Sequence, residues 1–232
     1  MRLTPVLAYH KIEPHPTSGT PSLTPSEFRR QCTRIKEYGY RTPALEEYIA
    51  SIKNGALFLK KAVLLTFDDG TDDFYKWAFP ILKEMGLGAV VFLITGNVGT
   101  KGYLSWEQCN EMARYGVYFG SHTHNHAYLP SLNEDQKEKE LTLSRDKLRE
   151  YIKPSVLTVS YPAGGFDNGA KALAKKTGYE IAFTTNRAER RAVMDRYALR
   201  RIKMSAGSSR MVIMLAKLSG FYDSFRKLRK PA

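Results

Sequence analysis

Cysteine is almost missing from this chain, with only Cys32 and Cys109 among 232 residues and no Cys-x-x-Cys pair. That excludes a disulfide framework and fits two buried, reduced thiols in a cytosolic protein. Long apolar runs are missing too. Only Pro5–Tyr9 is apolar before His10 and Lys11, which is too short for the apolar region of a secretory signal. The uncharged stretch Met85–Thr100 is too short and too rich in glycine to span a bilayer. It reads as a core strand with its flanking loops. Neither a Gly-x-Gly-x-x-Gly fingerprint nor a phosphate loop occurs, so nothing points to a nucleotide-binding sheet. Internal repeats and linkers are absent. Acidic residues are scarce, 23 against 36 Lys and Arg, for a net charge of +13. A hydrophobic content of 43% with 12% aromatic residues excludes a disordered chain. The length suits one α/β barrel domain over residues 1–232, with a large core.

The polar residues that could do chemistry are concentrated in two places. Thr66-Phe67-Asp68-Asp69-Gly70 closes the apolar run Ala62-Val63-Leu64-Leu65, putting two adjacent carboxylates at the end of a buried strand. Carboxyl ends of strands are where active sites gather in α/β proteins. Neighbouring side chains on a strand face opposite sides, so Asp68 and Asp69 need different partners: one could bind a metal, the other act as a base. An Asp-Gly turn without function is the plain alternative. The second place is Ser121-His122-Thr123-His124-Asn125-His126, which holds three of the five histidines directly after the apolar Val117–Gly120. His122 and His126 are four apart, a metal-binding spacing. Two imidazoles and one carboxylate make the three-ligand, open-position set of a catalytic metal site. A solvated polar loop remains the bland reading, but two such clusters at two strand ends disfavour it.

Thr66–Gly70 followed by His122-Thr-x-x-His126 resembles the first two motifs of the polysaccharide deacetylases, the NodB-homology group of carbohydrate esterases. Ser160-Tyr161-Pro162-Ala163-Gly164 is similar to that family's third motif, a loop following a strand. No histidine follows His126 to supply the usual late motif, yet Pro5-Val6-Leu7-Ala8-Tyr9-His10 stands at the front. That resembles the poly-N-acetylglucosamine deacetylase branch, in which the motif is displaced to the N-terminus.

The resemblance implies an α/β fold, a distorted (β/α)7 barrel, and a metal-dependent hydrolase that removes N-acetyl groups from amino sugars. By the same resemblance Asp69, His122 and His126 hold one divalent metal, Asp68 is the general base and His10 the general acid. The backbone N–H of Ala163 stabilises the oxyanion. Zn²⁺ is the first expectation, and Co²⁺, Ni²⁺ or Fe²⁺ would suit the same ligands. Ser160 replaces the family's third-motif arginine, so Arg200 or Arg201, near the end of the last strand, is expected to orient the base. His124 falls at a variable motif position. Tyr161, Trp106 and Tyr103 are candidate sugar-stacking surfaces, with core packing favoured for Trp106. Asp72, Asp73, Asp167 and Asp195 could meet sugar hydroxyls or simply form turns. Two other readings stay open: an O-acetyl esterase using the same site, and a non-catalytic barrel binding glycan or nucleic acid.

Strands and helices alternate, which implies parallel pairing. Strands are predicted over 6–10, 62–67, 89–95, 117–120, 155–161, 180–184 and 198–203. Thr24-Pro25-Ser26-Glu27 and Ser105-x-x-Gln108 read as capping boxes. Thr42 is predicted to cap a helix to Lys53, and Asn133 to open the longest helix, to about Ile152. Its alternating charges suggest an exposed face. Further helices are predicted over 73–85, from Asn168 to a stop at Gly178, and from about Ser208. Glu13–Ser22 is expected to be a loop over the site.

Charge is lopsided: residues 187–232 hold 13 Lys or Arg against three acidic residues. Arg187, Arg190, Arg191, Arg196, Arg200, Arg201 and Lys203 form one group, and Arg226, Lys227, Arg229 and Lys230 another, after Phe221, Tyr222 and Phe225. Contact with an anionic membrane or a phosphate-bearing substrate is one expectation, and a merely solubilising face is the other. The protein is therefore expected to be cytoplasmic, peripheral on the inner face of the membrane, and to act on an N-acetylated glycan or a lipid-linked precursor. Nucleic acid is not expected as a partner.

Overall fold

A computed structural model describes residues 3–16, 21–56, 58–153, 157–186 and 195–222. In chain order the strands are β1 (Val6–Tyr9), β2 (Lys11–Ile12), β3 (Ser22–Leu23), β4 (Leu64–Phe67), β5 (Ala89–Leu93), β6 (Val117–Ser121), β7 (Thr158–Ser160), β8 (Ile181–Thr184), β9 (Leu199–Arg200) and β10 (Ile202–Lys203). The helices are α1 (Pro25–Glu37), α2 (Leu45–Lys53), α3 (Phe79–Met85), α4 (Trp106–Ala113), α5 (Glu134–Tyr151), α6 (Asn168–Lys176) and α7 (Met211–Leu218).

Eight strands pair in parallel in the order β10-β1-β4-β5-β6-β7-β8-β9, while β2 and β3 pair separately. β9 and β10 are successive pieces of one segment. β9 pairs with β8 and β10 with β1, so a single stretch of chain, interrupted only at Arg201, closes the sheet on itself. Counted as segments the barrel has seven strands, the distorted (β/α)7 architecture that the resemblance implies.

Strand alternation divides the core into two layers. Val6, Leu64, Val90, Phe92, Ile181, Phe183 and Leu199 pack together with Leu45, Tyr48, Ile49 and Ile52 of α2. This is the interior set, and α2 seals the end where the strands begin. Leu7, Leu65, Phe67, Val91 and Ala182 face the other way, into the layer formed with the outer helices. Both faces of the strands are thus covered, which is why parallel strands of this kind read as near-continuous hydrophobic runs. Thr66 and Asp68 continue the inward row begun by Leu64. The strand's own periodicity thus carries a carboxylate into the barrel mouth.

Capping boxes start α1 at Thr24, α4 at Ser105 and α5 at Asn133. Several sequence expectations are corrected. Thr42 does not cap α2, whose N-cap is Ala44 with no side-chain bond; the Thr42 hydroxyl accepts from Gly88 N–H at 2.7 Å instead. The helix expected over 73–85 opens as a π-turn, Phe74–Ala78, before α3. Pro80 supplies no N–H and its ring crowds the preceding turn, which a wider turn accommodates. Asp167, not Asn168, caps α6 by accepting from Ala170 N–H. α5 is not simply an exposed charged helix: Lys137, Glu140, Leu141, Ser144 and Leu148 form a buried stripe. Cys32 and Cys109 are buried and unpaired, and burial pushes the Cys32 thiol up to about 12. The start of the predicted fifth strand at Ser155, part of the Glu13–Ser22 loop, and the basic residues 187–194 and 223–232 lie outside the described residues.

Candidate active site

Because all barrel strands run parallel, their carboxyl ends meet on one face. β1 delivers His10, β4 delivers Asp68 and Asp69, β6 delivers the histidine loop, and β7 delivers Ser160 with the loop behind it. The β9–β10 break contributes Arg201. Register sets the neighbours: Tyr9 pairs with Phe67, so His10 lies beside Asp68.

Asp68 is buried and doubly forked by Arg201, whose two terminal nitrogens donate to Oδ1 and Oδ2 at 2.7 Å each. The same guanidinium donates to Ser160 Oγ at 2.7 Å and to Thr66 Oγ1 at 3.1 Å, and lies over the Phe92 ring. Ser160, standing where the family motif carries arginine, is small enough to leave that space and accepts one of its bonds. Of the two candidate arginines, Arg201 turns inward to Asp68. Arg200 pairs with Thr184 on β8, and alternation directs its side chain to the opposite side. Burial alone would raise the Asp68 carboxyl, but the charge of Arg201, reinforced by His122, the Arg201 hydrogen bonds and His10, holds it well below the usual carboxylate range. His10 Nε2 lies 3.8 Å from Asp68 Oδ2.

Asp69 takes different partners. Its backbone is in the left-handed region, with φ at 73°, which swings the carboxylate away from that of Asp68. Gly70 follows with φ at 70°, and a Cβ there would meet Leu93 Cδ2 at 2.6 Å. His126 Nε2 lies 3.5 Å and His122 Nε2 3.7 Å from Asp69 Oδ1. Among the described residues these three form the group able to hold a metal, with donor atoms within 4.8 Å of one another. Tetrahedral bonds of about 2.1 Å would separate ligands by about 3.4 Å, so the spacing fits a zinc-sized ion. His122 is also in the right form. Its Nδ1 lies 2.7 Å from the Ser160 carbonyl oxygen, which can only accept, so Nδ1 carries the proton and the Nε2 lone pair faces Asp69. Burial lowers the His122 pKa despite the nearby carboxylates, favouring the neutral, ligating imidazole.

The remaining candidates sort clearly. Ala163 is exposed in a tight turn with φ at 52°. Tyr161 is not a sugar-stacking surface: it is fully buried, stacks on Phe166 and donates to the Tyr197 carbonyl. One step beyond the inward Ser160, alternation sends it into the outer layer. Trp106 stacks on Tyr151 with centroids 4.6 Å apart. Tyr103 bridges to Thr71. Asp72 pairs with Lys76, Asp73 accepts from Ile12 N–H, Asp167 pairs with Lys137, and Asp195 pairs with Lys171. His124 Nδ1 lies 3.2 Å from Thr95 Oγ1, away from the three-donor group. Two residues escaped the sequence reading. Glu140 binds the backbone of the histidine loop. Tyr128, half exposed, lies over Gly165 so closely that a Cβ there would meet its ring at 2.0 Å. The 3–4 spacing of the α5 stripe was the available signal for Glu140.

The sequence model of the polysaccharide deacetylase family matches residues 58–182. YxkH of Bacillus subtilis, itself only assigned to the polysaccharide deacetylases, is 33% identical over 206 residues, covering 88% of this chain and 72% of that protein. The poly-beta-1,6-N-acetyl-D-glucosamine N-deacetylase of Staphylococcus aureus is 30% identical over 177 residues, covering 70% of this chain and 61% of that protein. Among solved structures, the Streptococcus pyogenes deacetylase PplD in complex with acetate superimposes with a TM-score of 0.85 at 30% identity, covering 94% of this chain and 99% of that one.

Replacing Arg201 with Met strands a buried carboxylate, which costs about 3–5 kcal/mol at pH 7. In the wild type the lowered Asp68 pKa contributes stability that is present above the ordinary carboxylate range and is lost as pH falls through the folded value. In Arg201→Met, burial raises that pKa and the sign reverses. The stability gap in urea titrations should therefore narrow between pH 7 and pH 4, and a constant gap would contradict the pairing.

Proposed function

The chain belongs to the polysaccharide deacetylase family, and from that premise we propose that it is a metal-dependent N-deacetylase acting on an N-acetylated amino sugar in a glycan or a glycan precursor. The observation that carries this reading is the division of labour between adjacent carboxylates: Asp68 is forked by Arg201, whereas Asp69 faces two imidazoles. Asp69, His122 and His126 would hold the metal, Zn²⁺ first among Co²⁺, Ni²⁺ and Fe²⁺. A divalent ion there would acidify a water molecule and polarise the acetyl carbonyl.

The residues of the chain do the rest. Asp68, ionised and fixed in plane by the Arg201 fork, accepts a proton from the attacking water. A carboxyl held this acidic does not keep a proton for long, and His10, at 3.8 Å, is placed to take part in passing it on. His10 donates a proton to the sugar nitrogen as the C–N bond breaks, since an amide nitrogen leaves poorly as an anion. Water's oxygen ends in acetate and the sugar keeps a free amine. The Ala163 N–H is the backbone donor for the developing oxyanion, and its left-handed turn supports a preformed role. Tyr128, half exposed over Gly165, rather than the buried Tyr161, offers an aromatic face beside the third-motif loop for a sugar ring.

An esterase uses the same parts with less need of an acid, so one experiment separates the two. Acetate release would be measured on N-acetylglucosamine oligomers and on acetylated esters, with the protein stripped of metal and reloaded with Zn²⁺ or Co²⁺. Metal-dependent amide cleavage is expected, abolished in Asp68→Asn. His10→Ala should lose at least tenfold more on amides than on esters. Ester cleavage alone, indifferent to His10, would favour the O-acetyl esterase.

We also infer that the protein works at the cytoplasmic face of the membrane on a lipid-linked precursor. Among the described residues no helix is long and apolar enough to cross a membrane. α7, however, exposes Met211, Val212 and Leu215 beside Arg210 and ahead of the basic residues 226–230. Apolar and basic residues together suit an anionic lipid surface. Sedimentation with vesicles containing phosphatidylglycerol, but not with pure phosphatidylcholine, is expected at low salt. No sedimentation with either would contradict the inference.

A further inference from the structure

We infer that Glu140, on α5, is a positioning residue that fixes the histidine loop and thereby sets the metal affinity of the site; this rests on the metal reading of Asp69, His122 and His126. The two imidazoles come from a loop, not from a helix whose regular geometry would align residues four apart. Something else must hold them in register. The loop is strained as well: Thr123 has φ at 63° and His126 at 59°, which costs about 1–2 kcal/mol for each such residue. Left to itself it would relax and carry His126, the exposed ligand, out of line.

Glu140 opposes that relaxation. Its Oε2 accepts from His124 N–H at 3.0 Å and Asn125 N–H at 2.8 Å, and its Oε1 accepts from Asn125 Nδ2 at 2.7 Å. Both backbone donors lie between the two imidazoles in sequence, so the carboxylate grips the segment at its centre. Glu140 is only 9% exposed, and among the described residues no Lys or Arg pairs with it. A buried carboxylate that meets three N–H donors and no cation is built for those donors, and such charge-assisted bonds are about twice as strong as neutral ones.

One turn along α5, Ser144 extends the grip. Its Oγ lies 2.7 Å from Ser121 Oγ, which accepts from Thr123 N–H at 3.0 Å. On the far side the loop is bonded to the strand-end backbone, Thr95 N–H donating to the Thr123 carbonyl and Gly96 N–H to that of His124. The loop is thus held between α5 and the end of β5. Glutamate meets all three donors with charged acceptor oxygens. Glutamine, neutral and with one acceptor oxygen, would keep both backbone bonds only with weaker acceptance and with the Asn125 amide turned over, and alanine would leave all three without their acceptor.

The test uses the full chain as wild type, Glu140→Gln, Glu140→Ala and Leu148→Ala. Leu148 is a buried residue of the same helix, two turns further on. Zn²⁺ dissociation constants would be measured by chelator competition, Co²⁺ absorption spectra would report coordination geometry, and melting of the metal-free proteins would report folding. Affinity should fall in the order wild type, Glu140→Gln, Glu140→Ala, the last weakened about 10–100-fold, as is usual for partners that orient ligands, with an altered Co²⁺ spectrum. Leu148→Ala should melt earlier yet bind zinc like the wild type. If Glu140→Ala does not fold, Glu140→Gln decides. Affinities of the Glu140 variants within twofold of wild type, or an equal loss in Leu148→Ala, would overturn the positioning role while leaving the metal site standing. No zinc bound by the wild type would overturn the metal reading itself, and this inference with it.

Discussion

Everything at the mouth of the barrel depends on the fork between Arg201 and Asp68. A buried carboxylate is tolerable only when its charge is met by a partner of good geometry, and a bidentate guanidinium is the best that a protein offers. The fork also has an architectural role. Arg201 sits at the interruption between β9 and β10, where one segment leaves β8 and joins β1. The segment that seals the sheet is therefore also the one that delivers the cation to Asp68 in its interior. Thr66, Ser160 and Phe92 receive the guanidinium from three other strands, so its place is fixed from several sides.

With Asp68 committed to Arg201, the adjacent carboxylate is free for other work. Separating two neighbouring charges takes backbone strain. Among the described residues five other than glycine have positive φ, and four of them, Asp69, Thr123, His126 and Ala163, stand at this site. Strained residues persist where the surroundings over-determine them. Here those surroundings are the close approach of Leu93 to Gly70, the Glu140 grip on the histidine loop, and the tight turn after β7. The buried groups, Asp68, His122 and Arg201, directly follow strands β4, β6 and β9, whereas the left-handed positions carry Asp69, His126 and Ala163.

Much of this was legible in the sequence because it is local. Asp68 and Asp69 end an apolar run, and His122 and His126 follow another, so strand ends could be recognised without knowing which strands pair. The barrel followed from alternation of strand and helix. Arg200 and Arg201 could not be told apart until the register was known, since one residue of slip exchanges inside for outside. Tyr161 was misjudged for the same reason: it follows an inward serine, and alternation sends it into the helix layer. Thr42 looked like a cap because its locality suggested one, but a tertiary partner, the Gly88 amide, claimed the hydroxyl. Pro80 sits inside the predicted helix, yet sequence does not say how a chain absorbs a missing donor, and here it widens a turn. Glu140 was hidden among the other charges of α5: the 3–4 spacing of its stripe marks a buried face, but only three-dimensional contact shows that Glu140 meets the histidine loop.

The most direct measurement of the central claim is a crystal structure of the protein loaded with Zn²⁺. The expected result is one ion bound by Asp69, His122 and His126, with Asp68 outside its coordination sphere and still forked by Arg201. An ion that draws Asp68 off Arg201 into its own coordination sphere, or a site that takes up no ion at saturating zinc, would contradict the division of labour between the two carboxylates.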